Sequence, residues 1–239
     1  MAVTTPNRIL MLVHCMVENK SQLPKFSRVD ADVRRRSLID ATARCLVRDG
    51  IEGATVRRIC EEAGVSAGLL RHYFDSKDDL VAKTYDTMAG DFARITRTAL
   101  KATPVSPDLR LQAFFEASFT ADFINADVLL TWISFWRLIR FDHRIQDMHR
   151  QAYAAYRDDL AGVLTEIADS HGIEINARLA ALSLTGLMDG LWLEISLDPS
   201  AFSTEEAIKV CRNWVESFMG RQHIGRFGTS PIKTQSHVS

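Results

Sequence analysis

Between Phe114 and Trp192 the sequence concentrates aromatic side chains: Phe114, Phe115, Phe119, Phe123, Trp132, Phe135, Trp136, Tyr153, Tyr156 and Trp192, with Asp122 and Asp189 in the same stretch. Ring faces carry partial negative charge, so several of them turned inward beside a carboxylate would hold an organic cation. The residues that fit such a cage are Phe119, Asp122, Trp132, Trp136, Tyr156, Asp189 and Trp192. Aromatic residues at helical spacing also serve simply as core, and spacing alone leaves both uses open.

Other chemistry finds no matching set. His143 and His149, near Asp142 and Asp147, are the closest approach to a metal cluster, but their spacing puts the two imidazoles on different faces of a helix. Cys15, Cys45, Cys60 and Cys211 are scattered, with no CxxC pair, and read as reduced thiols. No nucleophile with its base, no paired carboxylates and no phosphate-cradling loop stand out. The expectation is a protein without catalytic residues, metal or cofactor. The net charge of −1 excludes a generally basic nucleic-acid coat, so any charge for DNA must be local.

A local concentration exists. Arg34, Arg35 and Arg36 stand in a row, unfavourable at the positive end of a helix dipole, so they call for anions: DNA phosphate, or Asp30 and Asp32. Further on, Ile59, Cys60, Ala63, Gly64, Val65 and Leu70 supply what two short crossing helices need: small or apolar residues at the crossing and a glycine able to take positive φ in the turn. A helix-turn-helix uses this pattern, and so does a generic helical hairpin.

These residues require helices to carry them. Apolar residues recur at helical spacing from Val33 to Asp49, with Gly50 as the stop. Thr55 is placed to cap a short helix to Ala63, Ser66 another to Tyr73 or Phe74, and Ser76 a long one from Lys77 to Leu100 or Lys101. After the break at Thr103-Pro104-Val105-Ser106-Pro107, helical patterns cover Asp108 to Asn125, Asp127 to Phe141, Arg144 to Ser170, Asn176 to Leu197 and Thr204 to Met219. Ser203 and Glu206 form a capping box. Nothing alternates like a strand. The predicted fold is all-α: a three-helix N-terminal helix-turn-helix domain over 31–80, joined by a long helix to a helical domain over 81–219. Residues 1–30 are expected to be a disordered extension or the product of an upstream start codon, and 220–239 a disordered tail.

The ordered run Ile39-Asp40-Ala41-Thr42, Gly50, Thr55-Val56-Arg57-Arg58-Ile59-Cys60, Gly64-Val65-Ser66-Ala67-Gly68-Leu69-Leu70-Arg71-His72-Tyr73-Phe74 and Lys77-Asp78-Asp79-Leu80 strongly resembles the TetR family of bacterial regulators. The resemblance implies phosphate contacts from Thr55, Tyr73 and Lys77, and a recognition helix presenting Ser66, Ala67, Gly68, Leu69, Arg71 and His72 to the major groove. Arg34 and Arg57 join this DNA-binding set, Arg57 with a solvated face as its other reading. Arg71 replaces the family's usual tyrosine, and its fork suits either guanine O6 and N7 or a phosphate.

Ala181, Ser183, Gly186 and Gly190 would let another helix approach closely, and Cys211, Val215 and Phe218 lie on a stripe of the last helix. The expected homodimer interface therefore uses Ala181, Gly186, Gly190, Cys211, Val215 and Phe218 in a four-helix arrangement that spaces two recognition helices for a palindromic operator, with intramolecular packing as the alternative. Leu187-Met188-Asp189-Gly190-Leu191-Trp192-Leu193, with Lys25-Phe26-Ser27-Arg28 near the start, resembles the BetI subgroup, repressors of choline-to-glycine-betaine genes. That resemblance implies a repressor released by a small molecule, choline or a related quaternary amine. Alternatives are a regulator of an efflux or catabolic operon with a hydrophobic effector, an activator, and a helical interaction scaffold that no longer reads DNA. The apolar run Ile9 to Val17 is too short to span a bilayer and lacks a cleavage site, so a cytoplasmic protein without a membrane partner is expected.

Overall fold

The structure is a computed structural model, and it describes residues 28–102 and 105–223. The expectations for residues 1–27 and 224–239 lie outside the described residues, as does Cys15. Among the described residues there are nine helices and no strand: α1 (Arg28–Gly53), α2 (Val56–Ala63), α3 (Ala67–Tyr73), α4 (Lys77–Leu100), α5 (Pro107–Ser118), α6 (Ala126–Phe141), α7 (His143–Ser170), α8 (Ala177–Leu197) and α9 (Thr204–His223).

The starts follow from capping chemistry. The hydroxyl of Thr55 accepts from the Arg58 amide at 3.4 Å, that of Ser66 from Leu69 at 3.2 Å and that of Ser76 from Asp79 at 3.0 Å. Each satisfies an amide that the first turn cannot pair. The capping box closes at α9, where the Ser203 amide donates to Glu206 Oε2 at 2.8 Å and the Glu206 amide to Ser203 Oγ at 3.2 Å. Gly50 breaks α1 with φ 65°, and Gly64 ends α2 with φ 65°, ψ 34°, a left-handed conformation that costs a side-chain-bearing residue about 1–2 kcal/mol.

Three helix ends differ from expectation. α9 runs on to His223 rather than Met219, so 220–223 are helical and not part of a disordered tail, and 28–30 are likewise helical. α1 begins at Arg28, so Arg34 to Arg36 lie inside it rather than at its positive end. The dipole argument for a phosphate there lapses: Arg36 pairs with Asp40 and Asp91 at 3.0 and 3.1 Å, and Arg35 lies over the Phe74 ring at 5.1 Å. The helix expected to reach Asn125 ends at Ser118. Asn125 instead caps α6, its Oδ1 accepting from the Val128 amide at 2.9 Å while its Nδ2 holds the Ala121 and Asp122 carbonyls. Those bonds close the segment 119–125 into a turn.

Two apolar cores result. One packs α1 to α4 around Leu38, Leu46, Ile59, Leu70, Phe74, Leu80 and Tyr85, and it is completed by Phe135 of α6 and Ile145 of α7, both essentially without exposed surface. Burying such side chains is worth about 1.5–3 kcal/mol each, so the N-terminal unit draws stability from helices of the other half. Val81, Ala82 and Tyr85 belong to this core, which runs past residue 80 along α4. The second core joins α5, α7, α8 and α9 around Phe114, Phe115, Leu160, Leu164, Leu184 and Cys211. By length and apolarity α8 alone among the described helices passes for a membrane span, contrary to the sequence reading that found none. One side of it is buried in this core through Ala180, Ala181, Leu184 and Met188.

Candidate DNA-binding face and effector site

Leu70 and Phe74 turn inward from α3 and are buried, which fixes the opposite face outward. Thr55, Arg57, Ser66, Gly68, Arg71 and His72 are exposed, and Ala67, Leu69, Tyr73 and Lys77 half-buried around them. His72 and Tyr73 meet edge to face at 5.2 Å. The Lys77 ammonium donates to the Ile51 carbonyl at 2.8 Å, so the side chain ties the end of α1 to the start of α4. Arg57 lies 3.6 Å from Glu61, whereas Arg58 and Arg48 both hold Asp49, and Arg48 and Arg44 both hold Glu62. That network pins α2 to α1 and leaves Arg71, His72 and Arg34 as basic side chains without an ion pair among the described residues. Cys45 and Cys60 are free and buried beneath this surface.

The second candidate site is assembled from four helices. Thr185, Asp189 and Trp192 follow one another at i, i+4 and i+7 along one edge of α8. Opposite them α7 presents Tyr153 and Tyr156, ring centroids 6.3 Å apart, α4 adds Phe92 at 5.9 Å from Tyr156, and α6 adds Trp136, edge to face with Trp192 at 6.4 Å. The Trp192 indole donates to the Phe123 carbonyl at 2.9 Å, which fixes its ring against the 119–125 turn. The Tyr153 hydroxyl faces the Asp189 carboxylate and favours its ionised form.

Burial among these groups pushes the Asp189 carboxyl up to about 6, against the Tyr153 hydroxyl and the Arg157 guanidinium, which pull it down. The residue nonetheless keeps solvent-exposed surface. A carboxylate that solvent reaches but protein largely surrounds is one a cation can also reach. Two more polar atoms face inward unpaired: the Thr185 hydroxyl and Asp122 Oδ1 are buried without a hydrogen-bond partner. An orphaned buried polar atom costs about 1–3 kcal/mol, which a bound polar ligand or water would offset.

The structure thus gathers Tyr156, Trp136, Trp192 and Asp189, with Asp122 in the adjoining turn, and gives the other two expected site residues different uses. Phe119 is buried in the C-terminal core. Trp132 packs edge to face on Tyr85 and Phe135, at 5.7 and 6.0 Å, in the N-terminal core. Both rings were chosen from composition, which does not say which side of a helix looks inward. Tyr153, Phe92, Thr185 and Arg157 were missed. Tyr153 alone carried a signal, standing three residues before Tyr156 and four after His149 on one helical face. His149 packs inward rather than standing on a solvated face: its Nδ1 lies 3.0 Å from the Tyr85 hydroxyl, and burial together with Arg157 pushes it below the usual imidazole range. Among the described residues no group of His, Cys, Asp and Glu could hold a metal.

The expected dimer face divides. Ala181, Cys211 and Val215 are buried inside the subunit, so their side chains are unavailable to a second copy. They were grouped with the outer residues because small and apolar types suit either contact. Gly186 and Gly190 stay open, with nothing within 4 Å of where a Cβ would stand, and Leu179, Leu182 and Val210 are exposed nearby on α8 and α9. Phe218 stacks on Trp214 at 5.1 Å, partly buried.

A short capped helix pair with an exposed polar face, set on a helical domain containing an aromatic-lined carboxylate, defines a two-domain helix-turn-helix regulator. Residues 38–84 match the family described as bacterial regulatory proteins, tetR family, and residues 107–220 match the BetI-type transcriptional repressor C-terminal family. The chain belongs to the TetR family as a repressor of the BetI type, and is not an enzyme. It is similar to the HTH-type transcriptional regulator BetI of Pectobacterium carotovorum, 30% identical over 194 residues that cover 79% of this chain and 95% of the relative, and to that of Burkholderia thailandensis, 31% identical, covering 77% and 93%. A solved transcriptional regulator from Pseudomonas aeruginosa PAO1 is 41% identical with a TM-score of 0.77, covering 84% and 98%. A regulator from Saccharomonospora viridis, solved in complex with choline, shares the fold at 20% identity and a TM-score of 0.67, covering 77% and 96%. Regulators of this family bind operator DNA, dimerise and respond to small molecules.

Proposed function

We propose that this repressor holds a palindromic operator as a dimer and leaves it when a quaternary ammonium compound, choline or a close relative, occupies the site around Asp189. The observation that carries the reading is the Asp189 carboxylate, faced by Tyr153 and open to solvent, on the helix edge that carries Trp192 and opposite Tyr156. Aromatic faces with one carboxylate are the recurrent means of binding a cation that has no N–H to donate. An apolar effector would cover the Asp189 carboxylate without neutralising it and would leave the buried Thr185 hydroxyl unpartnered, which disfavours a hydrophobic ligand. The choline held by the Saccharomonospora viridis regulator supports the same ligand class.

On the DNA side, Thr55, Tyr73 and Lys77 are assigned to phosphate, Ser66 to Leu69 to close approach in the groove, and Arg71 with His72 to base edges. Arg34 and Arg57 are assigned to the flanking backbone. The exposed, unpaired guanidinium of Arg71 favours this over an interaction scaffold. Leu179, Leu182, Gly186 and Gly190 of α8, with Val210 and Phe218 of α9, are assigned to the dimer contact.

The test is calorimetric titration of the full-length protein with choline, betaine aldehyde and glycine betaine, paired with displacement from DNA taken upstream of its own gene. Heat of binding from at least one compound, with DNA release over the same concentration range, is expected. Flat traces for all three would sink the cation site.

A further inference from the structure

Arg157 lies one helical turn after Tyr153 on α7, its guanidinium 5.8 Å from the centre of the Tyr153 ring. It is half-buried and makes no hydrogen bond or ion pair among the described residues, unlike Arg97, Arg110 and Arg150 around it, each of which holds a carboxylate. The Tyr153 side chain thus has a cation without an ion pair against its ring face and an anion, Asp189, near its hydroxyl. A second observation is unmet polar demand on the same helix edge: Thr185, one turn before Asp189 and 3% exposed, is buried with its hydroxyl unpartnered. A simple cation uses Asp189 and leaves Arg157 idle, or is repelled by it.

We propose that the site is built for a zwitterion: a small molecule whose quaternary ammonium sits against Asp189 and the aromatic rings and whose carboxylate is taken by Arg157. This rests on the quaternary-ammonium reading above and narrows it. The guanidinium fork matches a carboxylate in geometry as well as charge. The distance between the two protein charges, set by one tyrosine side chain, selects a ligand whose own charges stand a few bonds apart. Specificity then comes from the mismatched case: a ligand with a hydroxyl in place of the carboxylate leaves the guanidinium unpaired, a type of loss that discriminates strongly.

Titration of the full-length protein with choline, glycine betaine and carnitine tests this. At least one of the two carboxylates is expected to bind about tenfold or more tighter than choline, as an unmatched charge-assisted pair implies. Arg157→Gln is expected to erase that preference, weakening the carboxylate ligands about tenfold while choline binds as well or better. Arg157→Lys, which keeps the charge without the fork, restores part of it and controls for folding, as do unchanged melting curves. Choline binding as tightly as both zwitterions, with a ratio that Arg157→Gln does not move, overturns the proposal and leaves the cation site standing. No binding by any of the three overturns both.

Discussion

At the scale of single residues, Asp189 has the clearest electrostatic consequence. Desolvation raises its carboxyl to about 6, with Tyr153, Tyr156 and Arg157 the titratable groups facing it from α7. A cationic ligand needs the carboxylate, and its presence lowers the Asp189 pKa in the complex. Below about pH 6 binding therefore has to expel a proton, and affinity falls by about tenfold for each pH unit. Above that value it is flat. Titrations from pH 5 to 8 check this, and Asp189→Asn should bind weakly with no slope; a slope retained in that variant would assign the proton elsewhere. His149 does not compete for the role, because its pKa is pushed down and it is neutral across most of this range.

At the scale of elements, a polar contact that joins the two halves is Tyr85 of α4 to His149 of α7. Tyr85 is buried in the core beneath the recognition helix, and its hydroxyl, raised to about 12 by burial, stays protonated and lies 3.0 Å from His149 Nδ1. His149 in turn meets the Tyr153 ring at 4.4 Å. One hydrogen bond and one ring contact thus run from Tyr153, which faces the Asp189 carboxylate, to the N-terminal core. Tyr85→Phe keeps the ring contacts with Trp132 and Phe135 and removes only the hydroxyl. Operator affinity without effector should stay within about twofold, while the effector concentration for half-release should rise about two- to tenfold, the effect of 0.5–1.5 kcal/mol of lost coupling. Fluorescence anisotropy on labelled DNA measures both. An unchanged half-release concentration would remove the Tyr85 hydroxyl from the path.

At the scale of the whole molecule, α8 works on both sides. Its inner residues fill the C-terminal core, its edge carries Thr185, Asp189 and Trp192, and its outer stripe of Leu179, Leu182, Gly186 and Gly190 stays open. Leu182→Glu places a charge at the centre of that stripe without touching either core. It should convert the dimer to monomer in analytical ultracentrifugation and cost about 100-fold or more in operator affinity, because one half-site then binds alone, with the melting curve of the monomer still cooperative. A dimer that survives this change would place the interface on another surface.

The caps, the helix-turn-helix and the long α4 were legible in the sequence, because a capping hydroxyl, a glycine at a left-handed turn and a 3.6-residue repeat act over a few residues and need nothing distant. For the same reason the family could be read from Ile39 to Leu80. Local rules could not say which face of α6 or α7 looks inward. Trp132 and Trp136 are one turn apart with the same chemistry, and only packing sent one into the N-terminal core and the other to Trp192. Cys211 and Phe218 likewise sit on one helix, the first wholly buried and the second partly so. The placement of Asp189 beside Tyr153 and near Arg157 was also decided by tertiary structure, since it depends on how α7 and α8 cross. Sequence determined what kind of regulator this is, and the crossing of two helices decided which side chains form its candidate sensor.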